Sequence, residues 1–85
     1  MKESDYQKKI IDKLVLDGWY VIKLIKTNKN GIPDLIALKK DRTMFIEVKT
    51  PTGKLAKLQE FRLSELKDYG FECYYSKGID LIKYL

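Results

Sequence analysis

The sequence predicts a small α/β (α+β) fold: a mixed sheet flanked by helices in the order α-β-β-β-α-β, with a short helix closing the chain. Three observations predict it. Apolar residues recur with helical period in two segments, each ended by a glycine, Gly18 and Gly70. Two β-branched apolar runs lie either side of Lys40-Asp41-Arg42 and read as a β-hairpin. The chain has 85 residues, 45 % of them hydrophobic, which is enough for one core. A sheet with two helices is near the ceiling for that size, so one domain spanning 1–85 is expected.

Ser4 through Leu16 reads as an amphipathic helix. Ser4-x-x-Gln7 fits a capping box, and Tyr6, Ile10, Leu14, Ile11 and Val15 form the inward stripe. Gly18 is placed to end it at C′. Lys2, Lys8, Lys9 and Lys13 fall on the polar side, either as a solvated face or as a phosphate-facing one. Glu3, at the start, puts a favourable charge at the positive helix end. Trp19 to Lys26 is rich in strand formers and reads as a strand. Thr27-Asn28-Lys29-Asn30-Gly31 is a polar loop with an Asn-Gly turn signal.

The hairpin holds the chemistry. Its arms are Gly31–Leu38 and Phe45–Lys49, with Pro33 suited to the position before a strand. A tight turn centred between Lys40 and Asp41 puts Asp34 opposite Glu47, with Cβ atoms roughly 4.5–5.5 Å apart. Lys49, two residues on, shares their face. Two carboxylates facing each other destabilise a ladder, and each raises the other's pKa. A Mg²⁺ ion removes the conflict, because it binds oxygen ligands through one or two carboxylates plus water and substrate phosphate. Taken singly, Asp34 also suits a turn after Pro33, and Glu47 with Lys49 a solvated strand edge. The joint pattern favours the metal.

Pro51 and Gly53 take the chain out of the sheet, and a helix follows from Ala56 to Tyr69. Leu55, Leu58, Leu66 and Tyr69 make its narrow apolar stripe, with Gln59 on the flank. Gln59 either makes an ordinary hydrogen bond or faces the site. Phe71 to Ser76 reads as a further strand. Ile79, Ile82 and Leu85, at a spacing of three, predict a short closing helix, with a strand as the other reading.

Lys and Arg outnumber Asp and Glu 17 to 12, a net charge of +5 that suits a polyanionic partner such as nucleic acid. Only Arg42 and Arg62 are arginines, so point-charge contacts to phosphate are favoured over reading of base edges. The absence of His excludes His-dependent triads, His-metal nucleases and zinc–His sites. Cys73 is alone, which excludes an intrachain disulfide and predicts a small buried hydrophobe. No apolar run approaches the ~20 residues of a membrane helix, and Met1-Lys2-Glu3-Ser4-Asp5 opens no secretory signal. A cytoplasmic protein is expected. The small core and the apolar tail of Tyr74, Tyr75, Tyr84 and Leu85 predict a homodimer.

Gly31-Ile32-Pro33-Asp34-Leu35, Phe45-Ile46-Glu47-Val48-Lys49-Thr50-Pro51, Gly53-Lys54-Leu55 and Gln59 carry a family resemblance in this order and spacing. Together they resemble the VRR-NUC (virus-type replication-repair nuclease) domain of the PD-(D/E)xK nuclease superfamily, in its stand-alone phage or bacterial form. The resemblance runs from Glu3 to about Tyr75. It implies a restriction-endonuclease-like core and a Mg²⁺-dependent DNA endonuclease, with Mn²⁺ able to substitute. It assigns metal ligation to Asp34, Glu47 and the backbone carbonyl of Val48, and handling of the attacking water to Lys49. It also brings Glu3, on the first helix, into the catalytic set, and places Gln59 beside it. The loop holding Lys29 and Asn30 would contact substrate, and Lys8, Lys9, Lys54 and Lys57 are candidate phosphate contacts. One departure is Ala56, where the family commonly has Ser, which removes an N-cap worth about 1 kcal/mol. Small members resemble Holliday-junction resolvases, so four-way DNA junctions are the expected substrate, with no nucleotide cofactor and no membrane. The competing readings are a nuclease of flaps or ends, a catalytically silent nucleic-acid-binding module on the same fold, and a small basic structural protein.

Overall fold

In the computed structural model, which describes residues 1–84, the first helix α1 spans Glu3–Leu16. Its cap differs from the expected Ser4–Gln7 box. Lys2 is the N-cap residue, and its backbone N–H donates to Asp5 Oδ2 at 2.8 Å. An aspartate at the third helical position satisfies that orphan donor directly, which leaves Gln7 free to turn inward, where it is buried. At the other end Gly18 N–H donates to Val15 O and Trp19 N–H to Leu14 O, the paired bonds of a Schellman stop. Of the predicted stripe, Ile10 and Leu14 are buried and Tyr6 and Ile11 pack at its margin, whereas Val15 is exposed.

Five strands form one mixed sheet in the order β1 (Tyr20–Lys23), β2 (Leu35–Lys39), β3 (Arg42–Lys49), β4 (Glu72–Lys77), β5 (Asp80–Lys83). Only β3 and β4 pair in parallel, joined through the second helix, α2 (Lys57–Asp68). The first strand is shorter than Trp19–Lys26. Trp19 turns into the core, and Lys39 Nζ and the Arg42 guanidinium lie 4.6 and 4.8 Å from its ring centre. In the β2–β3 hairpin Leu35 faces Ile46 and Lys39 faces Arg42, the register expected from the sequence. Asp41, with φ 63°, supplies the left-handed residue of the turn, a conformation Asp tolerates.

Strand alternation sorts the core. Leu35, Ala37, Met44, Ile46 and Val48 pack with Ile10, Leu14 and Trp19 into one cluster under α1. The second helix lies against β4, where Cys73 is buried as expected and Phe45 meets Phe71 edge-on at 5.7 Å. Its buried residue is Leu63; the predicted stripe fails, since Leu58 and Tyr69 are exposed. Leu63 and the half-buried Leu66 lie one and two turns beyond Gln59, so the helix is rolled toward Gln59's side.

The closing helix is a strand. Lys77 pairs with Asp80 across a two-residue Gly78-Ile79 loop, and Gly78 has the positive φ (65°) that the first position of a type II′ turn demands. That turn, rather than the three-residue apolar spacing, decides the segment. Leu85 lies outside the described residues. Tyr74 packs against the chain's own core cluster, and its hydroxyl donates to Glu72. No helix among the described residues is long and apolar enough to cross a membrane.

Candidate active site

Three elements bring carboxylates together at the C-terminal end of β3. One register step beyond the Leu35–Ile46 pair, Asp34 stands across from Glu47. The Lys2–Asp5 cap makes Glu3 the first residue of α1, and carboxylate oxygens of Glu3, Asp34 and Glu47 all lie within 4.8 Å of one another. Pro33 is fully buried before Asp34. Asp34 is tied at both ends: its carbonyl accepts Leu24 N–H at 2.7 Å, and its Oδ2 accepts Val48 N–H at 2.9 Å. Gly31, with φ 78°, lets the loop that leads into Asp34 pack against α2, because a Cβ there would sit 2.6 Å from Leu58 Cγ.

Glu47 is only 2 % exposed. Burial, then the facing Asp34 carboxylate, pushes its pKa up to about 9, with Glu3 adding to the rise and Lys49 opposing it. Lys49 Nζ lies 3.9 Å from Glu47 Oε2, and the Lys49 side chain is 13 % exposed. The Lys49 main chain is held on both sides. Its N–H donates to Ser76 Oγ at 3.0 Å, and its carbonyl accepts Gly78 N–H at 2.9 Å. Ser76 is fully buried and was invisible to sequence reading, since one Ser on a strand signals nothing. Val48 points its side chain into the core and engages Asp34 through its backbone.

The remaining predicted residues scatter around this centre. Gln59 Oε1 accepts Ala56 N–H at 2.9 Å, so Gln59 is part of the α2 cap and makes up in part for the missing Ser side chain. Lys29 and Asn30 line a polar cavity of about 440 Å³ that reaches Asp34, together with Lys26 and Thr27. Asn30 O also accepts Arg62 Nε–H at 2.8 Å, which ties this loop to α2. Lys9, Lys54 and Lys57 are exposed, and Lys8 is exposed and paired with Asp12 at 2.9 Å. Both arginines serve the fold: Arg42 grips Glu72 through two hydrogen bonds and holds its carboxyl below the usual range.

The family model of the VRR-NUC domain matches residues 2–78 of the 85. This chain belongs to the VRR-NUC family. No curated protein matches it. Membership gives a nuclease-type fold, and the site can be tested against the metal chemistry expected of it. The VRR-NUC donor set is oxygen only. Its most buried carboxylate, Glu47, sits between two others with one cation at 3.9 Å, a surplus of negative charge that a hard divalent ion would offset. The residues fit such an ion.

Proposed function

We propose that this VRR-NUC chain is a Mg²⁺-dependent, structure-selective DNA endonuclease that works in the cytoplasm as a homodimer on four-way junctions, with Mn²⁺ able to replace Mg²⁺. The observation behind this reading is the convergence of Glu3, Asp34 and Glu47 within 4.8 Å, with Lys49 beside Glu47. Asp34, Glu47 and the Val48 carbonyl would hold the ion. When bound, it supplies a lowered water pKa and charge stabilisation at the phosphoryl group. Lys49, anchored through its own backbone, presents an ammonium to the attacking water and to the phosphoryl oxygens. Lys29 and Asn30, in the cavity that reaches Asp34, suit the flanking phosphate.

Of the apolar tail, Tyr74 packs against the chain's own core cluster, so a further apolar surface would serve the dimer. Tyr20, Ile22 and Ile25 on and beyond the edge strand β1, with Leu58 and Phe61 on α2, are exposed apolar groups suited to a second copy. A twofold axis would present two sites to a junction of matching symmetry. The test is a cleavage assay on four-way junctions, flaps and linear duplex, with Mg²⁺, with Mn²⁺ and with chelator. Junction cuts that require the metal are expected. No cleavage of any DNA with either metal would overturn the reading, and equal cutting of flaps would favour a nuclease of flaps or ends.

A further inference from the structure

We infer that the groove beside Lys49 receives an unstacked nucleotide adjoining the scissile phosphate; this deepens the nuclease reading and rests on it. The groove has a volume of about 390 Å³, at the small-ligand end of binding cavities, and its walls include Pro51, Gly53, Lys54, Glu60, Tyr75 and Lys77. The parallel ladder fixes its relation to the site. Tyr75 pairs with Glu47 and Lys77 with Lys49, so both share the face of the carboxylates and the ammonium. Gly53 closes the gap: a Cβ there would lie 3.2 Å from Lys49 Cβ, so the groove abuts the lysine's stem.

Its chemistry suits one nucleotide of a single strand. Tyr75 is half-buried in the sheet and lines the groove, an aromatic side chain of the kind on which any base can stack. Lys54 and Lys77 are exposed point charges of the kind that follow a phosphate backbone. Glu60 accepts hydrogen bonds only, which repels phosphate and suits a base amino group. The larger cavity, about 660 Å³, lies at the far end of α1 from Glu3, where Lys13 is offset by Asp17 and Asp80, and offers a polyanion nothing comparable. In the strand order the cavity lies at the β1–β2 loop and the groove at the β3–α2 loop and β4, on either side of the Asp34–Glu47 pair, so a strand laid from one to the other passes the proposed metal ligands. A base seated on Tyr75 has left its own stack. DNA with an unpaired or branch-point nucleotide at the cut is therefore preferred over matched duplex.

Binding measured by fluorescence anisotropy in chelator, where nothing is cut, tests this apart from nuclease activity. The probes are a short unpaired oligonucleotide, a four-way junction and a matched linear duplex. Tyr75→Phe should bind all three as the parent does. Tyr75→Leu should lose roughly tenfold on the oligonucleotide and junction and less than twofold on the duplex. Equal loss on all three, or none, would overturn the proposal. Should Tyr75→Leu not fold, the exposed pair Lys54→Ala/Lys77→Ala decides: the log–log salt slope for the oligonucleotide should flatten by about one unit. An unchanged slope would overturn it. Absence of cleavage in Mg²⁺ would count against the nuclease reading alone, since this contrast is read without metal.

Discussion

Glu47 decides most at the scale of single residues. Its folded pKa of about 9 stands above the ordinary 4.5, so the folded state holds this proton more tightly than the unfolded chain. That contribution to stability is fully present below about pH 4.5 and is lost as pH rises toward 9. Glu47→Gln keeps a neutral group and escapes the loss. In thermal melts without metal the variant should match the parent at pH 5 and exceed it by at least ~5 °C at pH 8; a constant gap across that window would contradict the assignment. Asp34→Asn should stay folded yet abolish the Mg²⁺ or Mn²⁺ heat seen by calorimetry, and full retention of that heat would remove Asp34 from the ligand set. Lys49→Ala should lower turnover at saturating DNA by at least about a hundredfold, with affinity changed far less. Normal turnover with weak binding would make Lys49 a binding residue only.

At the scale of elements, the hairpin was legible and the helix ends were not. The β2–β3 register followed from alternation and a two-residue turn, because a one-residue slip would move every core side chain to the wrong face. That register gave Asp34, Glu47 and Lys49. The α1 cap departs from the sequence expectation because Ser4-x-x-Gln7 and Lys2-x-x-Asp5 can both satisfy a first-turn donor, and only packing selects between them. The roll of α2 depends on Gly31 meeting Leu58, a contact 27 positions apart that no local period reveals. Gly31→Ala should therefore destabilise the fold by ~1–3 kcal/mol, through both the positive φ and the clash. Chemical denaturation measures it; a neutral substitution would mean the β1–β2 loop does not depend on this approach.

At the scale of the whole molecule, the +5 charge is carried by lysines on a frame whose two arginines are occupied internally. Binding to DNA should thus weaken steeply with salt and vary little with sequence. Light scattering should give the mass of two chains, and a Tyr20→Lys/Ile25→Lys variant should give one. A parent that scatters as a monomer yet cuts junctions and linear duplex alike would refute both the assembly and the preference tied to it. Fold order and the acidic pair were readable because they are local or strictly periodic. Ser76 and the grooves were not, because each depends on where distant segments land; Glu3 was nominated by the family resemblance alone, and its place beside Asp34 and Glu47 follows from the Lys2 cap.

The double anchoring of the Lys49 backbone, by Ser76 on one side and Gly78 on the other, separates two design problems. Grafting new sequence at 27–30 or at Thr52, Lys54 and Leu55, with Gly31 and Gly53 kept, alters what the protein grips, while the Lys49 backbone is held by hydrogen bonds those loops do not make. The reverse also holds. Fusing a partner directly onto the β4–β5 turn would disturb the reactive centre from its back, so tags and linkers belong away from that turn.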